Sequence, residues 1–372
     1  MPSIEHQILT CCAHVDPDAD QLQKIRGAMS NSVDLDRLVD LAVKEGCGGF
    51  LYKSLLKAGV LDIITPQQKQ KLYTIYYLTV RNNVKLQHAL NTILADLNKV
   101  GVAVTLLQGM ALLQETYADI GLRPMKDMDL WVLPDNYQRL VDILARQGFK
   151  RNRFYPQTFR KGEIVLDIHT HLLWADRIKA REYLLSKSQD EIFHSTISIQ
   201  TDGGKVRCLG PQDHFLYLGL HALKHNFERL VWLVDIKSLV AKWERPDWDE
   251  LVQRAGELGH EKTLRYILYL LIHLFDIRLP SAVEAFLAQW KPGYLEKRIL
   301  QRRIEGRSIS TGAQLMMISN GRRLRERLGF IIETLFPRPE VLRQVFANTP
   351  HLSVPQLYWK RVLQVVGLTR IS

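Results

Sequence analysis

The fold is decided by the stretch Leu106–Leu133, LLQGMALLQETYADIGLRPMKDMDLWVL. Its second half, Met125–Leu133, has the alternating pattern of a β-strand, so Asp127 and Asp129 are predicted to lie on the same face. Two carboxylates side by side on one strand repel each other unless a cation lies between them. Oxygen ligands suit a hard divalent cation that also binds phosphates, so we predict a magnesium site, with manganese as the alternative metal.

The composition is typical of a globular protein rather than a disordered one. At 372 residues and 46% hydrophobic content, the chain is long enough for two or three hydrophobic cores. Its first residues lack the pattern of a signal peptide, and the most apolar helix-like stretch, Tyr266–Phe275, is too short to cross a bilayer. Four cysteines without CxxC spacing indicate a reducing compartment. We therefore expect a cytoplasmic protein with no membrane partner.

The charge is strongly basic and unevenly distributed. A net charge of +11 favours a polyanionic partner such as a nucleotide, a nucleic acid or a phosphorylated substrate. Part of the excess lies in one basic region, Lys297–Arg327, which is interpreted either as a solvated helical face or as a surface that binds phosphate or RNA. Its basic residues are Lys297, Arg298, Arg302, Arg303, Arg307, Arg322, Arg323, Arg325 and Arg327.

The distribution of helical and strand-like patterns divides the chain into three regions. Residues 1–100 are predicted to form an N-terminal helical domain. Residues 101–209 change to a mixture of strands and helices, with a hairpin turn at Arg160-Lys161-Gly162. Residues 210–372 return to helix. The predicted fold class is therefore α+β, with a small mixed sheet flanked by N-terminal and C-terminal helical domains.

A third carboxylate is predicted to join the aspartate pair. The strand-like run Ile164–His171 places Asp167 and His169 on one face, and the simplest role for His169 is to orient Asp167. An Asp-x-Asp pair alone is more often a solvated edge or turn. Asp127, Asp129 and Asp167 together match metal-assisted phosphoryl or nucleotidyl transfer, in which two carboxylates bridge the metal and the third helps to deprotonate an attacking hydroxyl.

Gly109 follows a predicted strand, Val102–Leu107, and precedes a predicted helix. A glycine at such a junction lets backbone N–H groups approach phosphate oxygens at the positive end of the helix, although it is also a common turn residue. Arg123 is interpreted either as a cation that neutralises a triphosphate or as one partner of a surface salt bridge.

A predicted helix, Asp213–Asn226, places His221 and His225 on one face with Lys224 beside them. A histidine pair at this spacing is able to bind zinc, but no acidic third ligand lies nearby in the sequence, and a polar or packed pair is more common. We prefer the interpretation that Lys224 faces a nucleotide from the helical domain.

Five strings of residues and three single positions resemble the uncharacterised nucleotidyltransferase family of the polymerase-beta-like superfamily. The likeness runs from about Asp34 to Pro280. The resemblance implies that Asp127 and Asp129 are magnesium ligands, that Asp167 is the third carboxylate and that Gly109 lies in the loop that cradles a triphosphate. The residues that resemble the family are Leu107-Gln108-Gly109-Met110-Ala111, Tyr117, Arg123, Asp127-Met128-Asp129-Leu130, Val132, Leu166-Asp167-Ile168-His169, His221-Ala222-Leu223-Lys224-His225 and Leu230-Val231-Trp232-Leu233-Val234-Asp235.

The chain departs from the family pattern at two positions. Where the family usually has a lysine, this chain has Gln108, which removes a positive charge from the predicted phosphate loop but still donates hydrogen bonds. Met110 stands where the superfamily prefers a small hydroxyl residue. Lys126, Arg123 and Lys224 are candidates to supply the missing charge.

The sequence therefore predicts a magnesium-dependent nucleotidyltransferase. It would move an NMP group from an NTP, expected to be ATP, to an unidentified hydroxyl acceptor and release pyrophosphate. Two alternatives stay open: a catalytically reduced module of the same fold that binds a nucleotide or RNA, and a phosphotransferase that yields ADP. The predicted catalytic and metal-binding residues are Asp127, Asp129 and Asp167, and the predicted nucleotide-binding residues are Gln108, Gly109, Met110, Arg123 and Lys224.

Overall fold

The computed structural model of the protein describes residues 2–30, 33–153, 155–175, 178–307, 316–317, 324–346, 349 and 351–365. Within these residues, helices surround one mixed β-sheet, so the predicted α+β class is confirmed. Among the helices that the structure describes, none combines the length and the apolar character that are needed to cross a membrane. All four cysteines are free thiols.

Helices make up the described N-terminal part of the chain. The longest, α5, begins with a capping box, in which Thr65 and Gln68 each accept a hydrogen bond from the other's backbone N–H, and Pro66 occupies its first turn. Its apolar face packs against the sheet and against α7. The helices of this part are α1 (Ile4–Cys12), α2 (Ala19–Met29), α3 (Leu35–Glu45), α4 (Gly48–Lys57) and α5 (Pro66–Lys99), with a short 3-10 helix at Leu61–Ile63.

The sheet has seven strands in the order β3-β4-β5-β2-β1-β7-β6. Strand β2 is antiparallel to β1 and parallel to β5, and β1 is parallel to β7. The remaining neighbours pair antiparallel. The strands are β1 (Thr105–Leu107), β2 (Met128–Trp131), β3 (Lys150–Arg151), β4 (Thr158–Lys161), β5 (Ile164–His169), β6 (Ile197–Thr201) and β7 (Gly204–Cys208).

Two local predictions within the sheet can be compared with the structure. The predicted hairpin is present between β4 and β5, where Lys161 pairs with Ile164 and Gly162 has a left-handed φ of 58°. The predicted strand Val102–Leu107 is shorter, because pairing begins at Thr105 and the next helix starts immediately at Gln108. The helices between the strands are α6 (Gln108–Glu115), α7 (Pro134–Arg146) and α8 (Gln189–His194), with a 3-10 helix at Lys179–Leu184.

The chain after the sheet is helical wherever the structure describes regular elements. One hydrophobic cluster extends from the N-terminal helices through the sheet into most of these helices, and a second, smaller cluster contains Leu342, Phe346 and Leu357. The boundaries of the three predicted domains stay a prediction. The helices are α9 (Pro211–Lys224), α10 (Leu230–Leu239), α11 (Arg245–Leu258), α12 (Glu261–Phe275), α13 (Ser281–Ala288), α14 (Tyr294–Ile304), α15 (Leu324–Leu335), α16 (Pro339–Val345) and α17 (Val354–Val365), with a 3-10 helix at Val240–Lys242.

The basic region Lys297–Arg327 is only partly described. Arg303, which was predicted to belong to one basic face, is instead buried and lies 2.8 Å from Glu45 in an ion pair. It faces inward because α14 packs against the rest of the helical core on this side. Arg322 and Arg323 lie outside the described residues. A nucleic-acid surface in this region stays a prediction, without Arg303.

Candidate active site

The structure brings the three predicted carboxylates to one face of the sheet. Asp129 in β2 lies directly opposite Asp167 in the parallel strand β5, so their side chains project to the same side. Asp127 precedes β2 and is two residues from Asp129, which repeats the same orientation. All three line a cleft of about 920 Å³.

The carboxylates influence one another electrostatically. Burial, together with the negative charges of Asp129 and Asp167, raises the pKa of Asp127 to about 7. Burial is also the main reason that the pKa of Asp167 is raised, and a 2.5 Å hydrogen bond from the Thr158 hydroxyl opposes this rise. The site therefore concentrates negative charge where water screens it poorly, which is the environment that attracts a cation.

His169 contacts a different aspartate from the one predicted. Its Nε2 atom lies 2.8 Å from Oδ1 of Asp129, so the prediction that it orients Asp167 is wrong. The reason is the register of the sheet: His169 lies opposite Trp131 on β2, and its ring reaches back along that strand to the residue two positions earlier. Asp129 is thereby held in one orientation from the neighbouring strand.

The donor chemistry of the aspartates suits magnesium, but their side chains do not converge on one point. Within the described parts of the chain, no group of three or more His, Cys, Asp and Glu side chains is arranged to hold a metal ion. One oxygen of Asp129 is directed to His169, and one oxygen of Asp167 is directed to Thr158. These contacts leave the second oxygen of each carboxylate unused, so a shared metal would require the side chains to approach a common point while keeping their present partners.

The junction between β1 and α6 lies beside the carboxylates. Gln108 adopts a left-handed φ of 51°, and its amide nitrogen lies 3.5 Å from the Tyr217 hydroxyl. A Cβ atom added to Gly109 would lie 2.7 Å from Sδ of Met125 and 3.7 Å from Cζ of Arg123. Glycine therefore lets the segment before the aspartates lie against the start of α6, where the first backbone N–H groups have no intrahelical acceptor.

Met110 does not belong to the surface of the cleft. Its side chain is 1% exposed and packs in the hydrophobic core, and it is not among the residues that line the cleft. The prediction that Met110 binds a nucleotide therefore does not hold for its side chain. The reason is that α6 is surrounded by the rest of the protein, so the residues from Gly109 to Leu113 are all buried.

Arg123 forms a buried ion pair rather than a surface one. Its Nε donates to both carboxylate oxygens of Asp235 in α10, at 2.9 and 2.8 Å, and Nη1 donates to the Pro124 carbonyl at 2.6 Å. The Tyr117 hydroxyl donates to the same aspartate at 2.7 Å. Arg123 also lines the cleft, so this network ties the site to the helical part of the protein.

Lys224 lies on the wall of the cleft that α9 and α10 form. Its ammonium group is 3.5 Å from the ring centroid of Trp174, and its positive charge opposes part of the rise in the pKa of Asp167. The rings of His221 and His225 are 4.7 Å apart, and Trp232 contacts both. Burial lowers the pKa of both histidines, so they are neutral rings at pH 7. The pair is packed with aromatic rings, as the more common alternative predicted.

Comparison with known proteins assigns the chain to a protein family. A sequence model described as "Uncharacterised nucleotidyltransferase" matches residues 31–276. The chain belongs to this nucleotidyltransferase family. A comparison with curated proteins gives no match. The family suggests that the protein transfers a nucleotide group, and the matched residues include the three aspartates, the β1–α6 junction and the wall formed by α9 and α10.

Part of the cleft of this family member comes from residues that the sequence did not single out. Trp174, Thr158 and Arg229 lie within the matched region. The start of α16 lies beyond it, and this helix is held to the sheet by the Tyr155 hydroxyl, which donates to the Gln344 carbonyl at 2.7 Å. No sequence motif marks these residues, because they come from distant segments. The lining residues of this segment are Arg338, which precedes α16, and Glu340, Val341 and Gln344 within it.

Proposed function

We propose that this protein transfers an NMP group from an NTP, with ATP as the expected donor, to a hydroxyl acceptor and releases pyrophosphate. The observation that carries the proposal is the position of Asp127, Asp129 and Asp167 on one face of the sheet, beside Gly109 at the start of α6. Carboxylates opposite a helix N-terminus provide, in one cleft, ligands for a cation and donors for phosphate oxygens. The family membership supports the same class of reaction.

The proposed roles follow from the contacts of each residue. Asp127 and Asp129 would hold Mg²⁺, with Asp167 as the third ligand, and bound Mg²⁺ would neutralise charge on the phosphates. Backbone N–H groups at Gly109 would bind phosphate oxygens, and His169 would keep Asp129 oriented.

The reaction itself is an in-line displacement. The acceptor oxygen forms a bond to the α-phosphorus as the bond to the bridging oxygen of the β-phosphate breaks, and pyrophosphate leaves with that electron pair. Asp167 takes the hydroxyl proton at Oδ2, the oxygen that Thr158 does not hold.

The test combines substitution with product analysis. The full-length protein is incubated with Mg²⁺, each NTP and a metabolite pool, and NMP adducts are detected by mass spectrometry alongside pyrophosphate release. We expect Asp127→Ala and Asp129→Ala to reduce transfer by roughly 100-fold or more while the fold is retained. Asp135→Ala, which removes an exposed carboxylate outside the cleft, serves as the matched control. Full transfer activity in the Asp127 and Asp129 variants would show that the assignment is wrong.

A second function is favoured by one observation, the uncharged Gln108 in the phosphate loop. A binding module with this cleft would bind an NTP tightly without releasing pyrophosphate. Affinity measurements beside the same product assay separate the two functions, and ADP as the product would instead indicate transfer of the γ-phosphoryl group.

A further inference from the structure

Gln108 raises the question of which cation would offset the charge of a triphosphate near Gly109. Arg229 is a candidate that the sequence did not single out. It precedes α10, it is half-buried and it lines the same cleft as the aspartates. Arginine binds phosphate with two parallel hydrogen bonds, so the guanidinium group of Arg229 has the chemistry that this role requires.

The position of Arg229 is fixed by a sharp turn and by a glycine. Asn226 and Phe227, at the end of α9, adopt left-handed φ values of 55° and 50°, which turn the chain toward α10. A Cβ atom added to Gly46 would lie 2.6 Å from Nη2 of Arg229. Gly46 ends α3 with a left-handed φ of 74°, so the guanidinium group packs against backbone where only glycine leaves room for it.

The carboxylates near Arg229 are already used. Glu45 accepts hydrogen bonds from Arg303 and from the Leu230 N–H, at 2.8 and 2.6 Å. Asp235 accepts hydrogen bonds from Arg123 and Tyr117. Across the part of the chain that the structure describes, no carboxylate lies within ion-pair distance of the Arg229 guanidinium.

Arg229 is therefore a partly buried cation with a second cation nearby. Burial, and after it the positive charge of Arg123, lowers the pKa of Arg229, and the more weakly acting charges of Asp235 and Glu45 oppose this shift without reversing it. Desolvation and repulsion between like charges both cost free energy unless an anion completes the arrangement. An anion at this place would interact with both guanidinium groups.

Arg123 connects this place to the predicted phosphate loop. Its Cζ lies 3.7 Å from the position of a Cβ on Gly109, and its charge also interacts with Asp127. The start of α6, Arg123 and Arg229 thus all line the same cleft, and Arg123 interacts with both of the others. If a nucleotide is bound with its α-phosphate at the aspartates, its β- and γ-phosphates are free to contact Arg123 and Arg229.

We propose that Arg229, together with Arg123, binds the β- and γ-phosphates of the NTP and so supplies the positive charge that Gln108 does not. The ligand chemistry is that of a pyrophosphate group, which is also the leaving group of the proposed reaction. This inference rests on the proposed function for the identity of the nucleotide, and the phosphate of an acceptor is the competing source of the anion.

The test measures binding of Mg²⁺-pyrophosphate, Mg²⁺-ATP and AMP to the full-length protein by calorimetry. We expect Arg229→Met to weaken binding of pyrophosphate and ATP by roughly 10- to 100-fold and to leave AMP affinity within about twofold. Arg245→Met is the matched control, because it removes one exposed arginine that is absent from the cleft. Arg229→Lys, which retains charge but not the bidentate geometry, should lie between the two.

A rescue experiment guards against a merely structural effect of Arg229→Met. Adding Gln108→Lys to this variant should restore most of the pyrophosphate affinity, since it returns a cation to the other end of the same phosphates. A variant that has lost its fold would show no such rescue, and thermal unfolding of each protein reports this directly.

The outcomes separate the inference from the proposed function. Unchanged affinity of Arg229→Met for pyrophosphate and ATP overturns the inference, and a raised KM for a phosphorylated acceptor alone would assign Arg229 to that acceptor. No pyrophosphate binding by the unmodified protein also overturns it, even if NMP transfer is detected. Arg229-dependent binding without pyrophosphate release supports the inference and contradicts nucleotidyl transfer.

Discussion

The Arg123–Asp235 pair and the Asp127–Asp129–Asp167 cluster both place charge in poorly hydrated surroundings at or directly beneath one cleft, but only the first contains charges of both signs. Asp235 is fully buried and accepts hydrogen bonds from Arg123 and Tyr117. The three aspartates lie on one face of two adjacent strands, and burial together with the charges of Asp129 and Asp167 raises the pKa of Asp127. Both regions lie within residues 31–276, which the family model matches. The difference in their charge balance is therefore found within the family's own part of the chain.

The difference teaches how this fold divides its charges. The buried carboxylate of Asp235, with an arginine and a tyrosine as partners, joins the β1–β2 connection to α10. This pair is important for stability, because removing either charge leaves the other one buried and unpaired. In the aspartate cluster, Asp129 contacts the His169 ring and Asp167 accepts from the Thr158 hydroxyl, but within the described residues no arginine or lysine forms an ion pair with any of the three. Such an excess of carboxylates costs stability and is retained where a ligand supplies the missing charge. The first region should respond to substitution through stability, and the second through function.

The largest expected effect comes from breaking the compensated pair. Asp235→Ala leaves the Arg123 guanidinium buried without its counter-ion and the Tyr117 hydroxyl without its acceptor. We expect the free energy of unfolding to fall by about 3–5 kcal/mol, measured by urea denaturation at pH 7. Asp249→Ala is the control, because this exposed partner of Arg245 should contribute less than about 1 kcal/mol. Equal losses in the two variants would contradict this account of the buried pair.

Arg303 and Glu45 form a second buried ion pair, and His6 lies close enough to interact electrostatically with both. The titration of His6 therefore tests how such a buried pair affects stability. Burial and the charge of Arg303 lower the pKa of His6 to about 4. Since the unfolded chain binds a proton near pH 6.5 and the folded protein does not, stability is complete above that pH and is lost as the pH falls toward 4. We expect His6 to account for about 2 kcal/mol of the loss between pH 7 and pH 5, measured by urea denaturation at each pH.

The matched variant is His6→Gln, which removes the titrating group. Its stability should fall less steeply between pH 7 and pH 5 than that of the unmodified protein. His14, whose pKa burial lowers to about 3, contributes the same sign of dependence and stays in both proteins. Parallel curves for the two proteins would show that His6 does not titrate in this way.

Short sequence patterns correctly predicted the structural features that depend only on residues close together in the sequence. The alternation around Met128 placed Asp127 and Asp129 on one face, and the glycine of Arg160-Lys161-Gly162 predicted a hairpin that the structure contains. The α+β class followed from the change of pattern near residue 101. These features require only the period of a strand or the φ preference of one residue.

The remaining features depend on tertiary packing that one sequence does not specify. His169 pairs with Asp129 because β2 and β5 are parallel in one register, and strand register is not encoded in either strand alone. Arg123 forms its ion pair with Asp235, which is more than a hundred residues away in the sequence. The sequence around Arg123 therefore does not distinguish a surface salt bridge from a buried one. Met110 is in the core because α6 is enclosed by other elements, which its short sequence does not reveal.

The smallest expected effect, and the one with the opposite sign, comes from the cluster of three aspartates. Asp127→Asn removes one of the repelling charges, so the free energy of unfolding without Mg²⁺ should rise by about 1–2 kcal/mol at pH 7.5. Added Mg²⁺ should stabilise the unmodified protein by binding its folded form and should stabilise the variant less. Urea denaturation with EDTA and with MgCl2 measures both effects, and Asp135→Asn, an exposed position, should match the unmodified protein in each. A loss of stability in Asp127→Asn would mean that this carboxylate is compensated within the fold as Asp235 is, and the contrast between the two regions would then not hold.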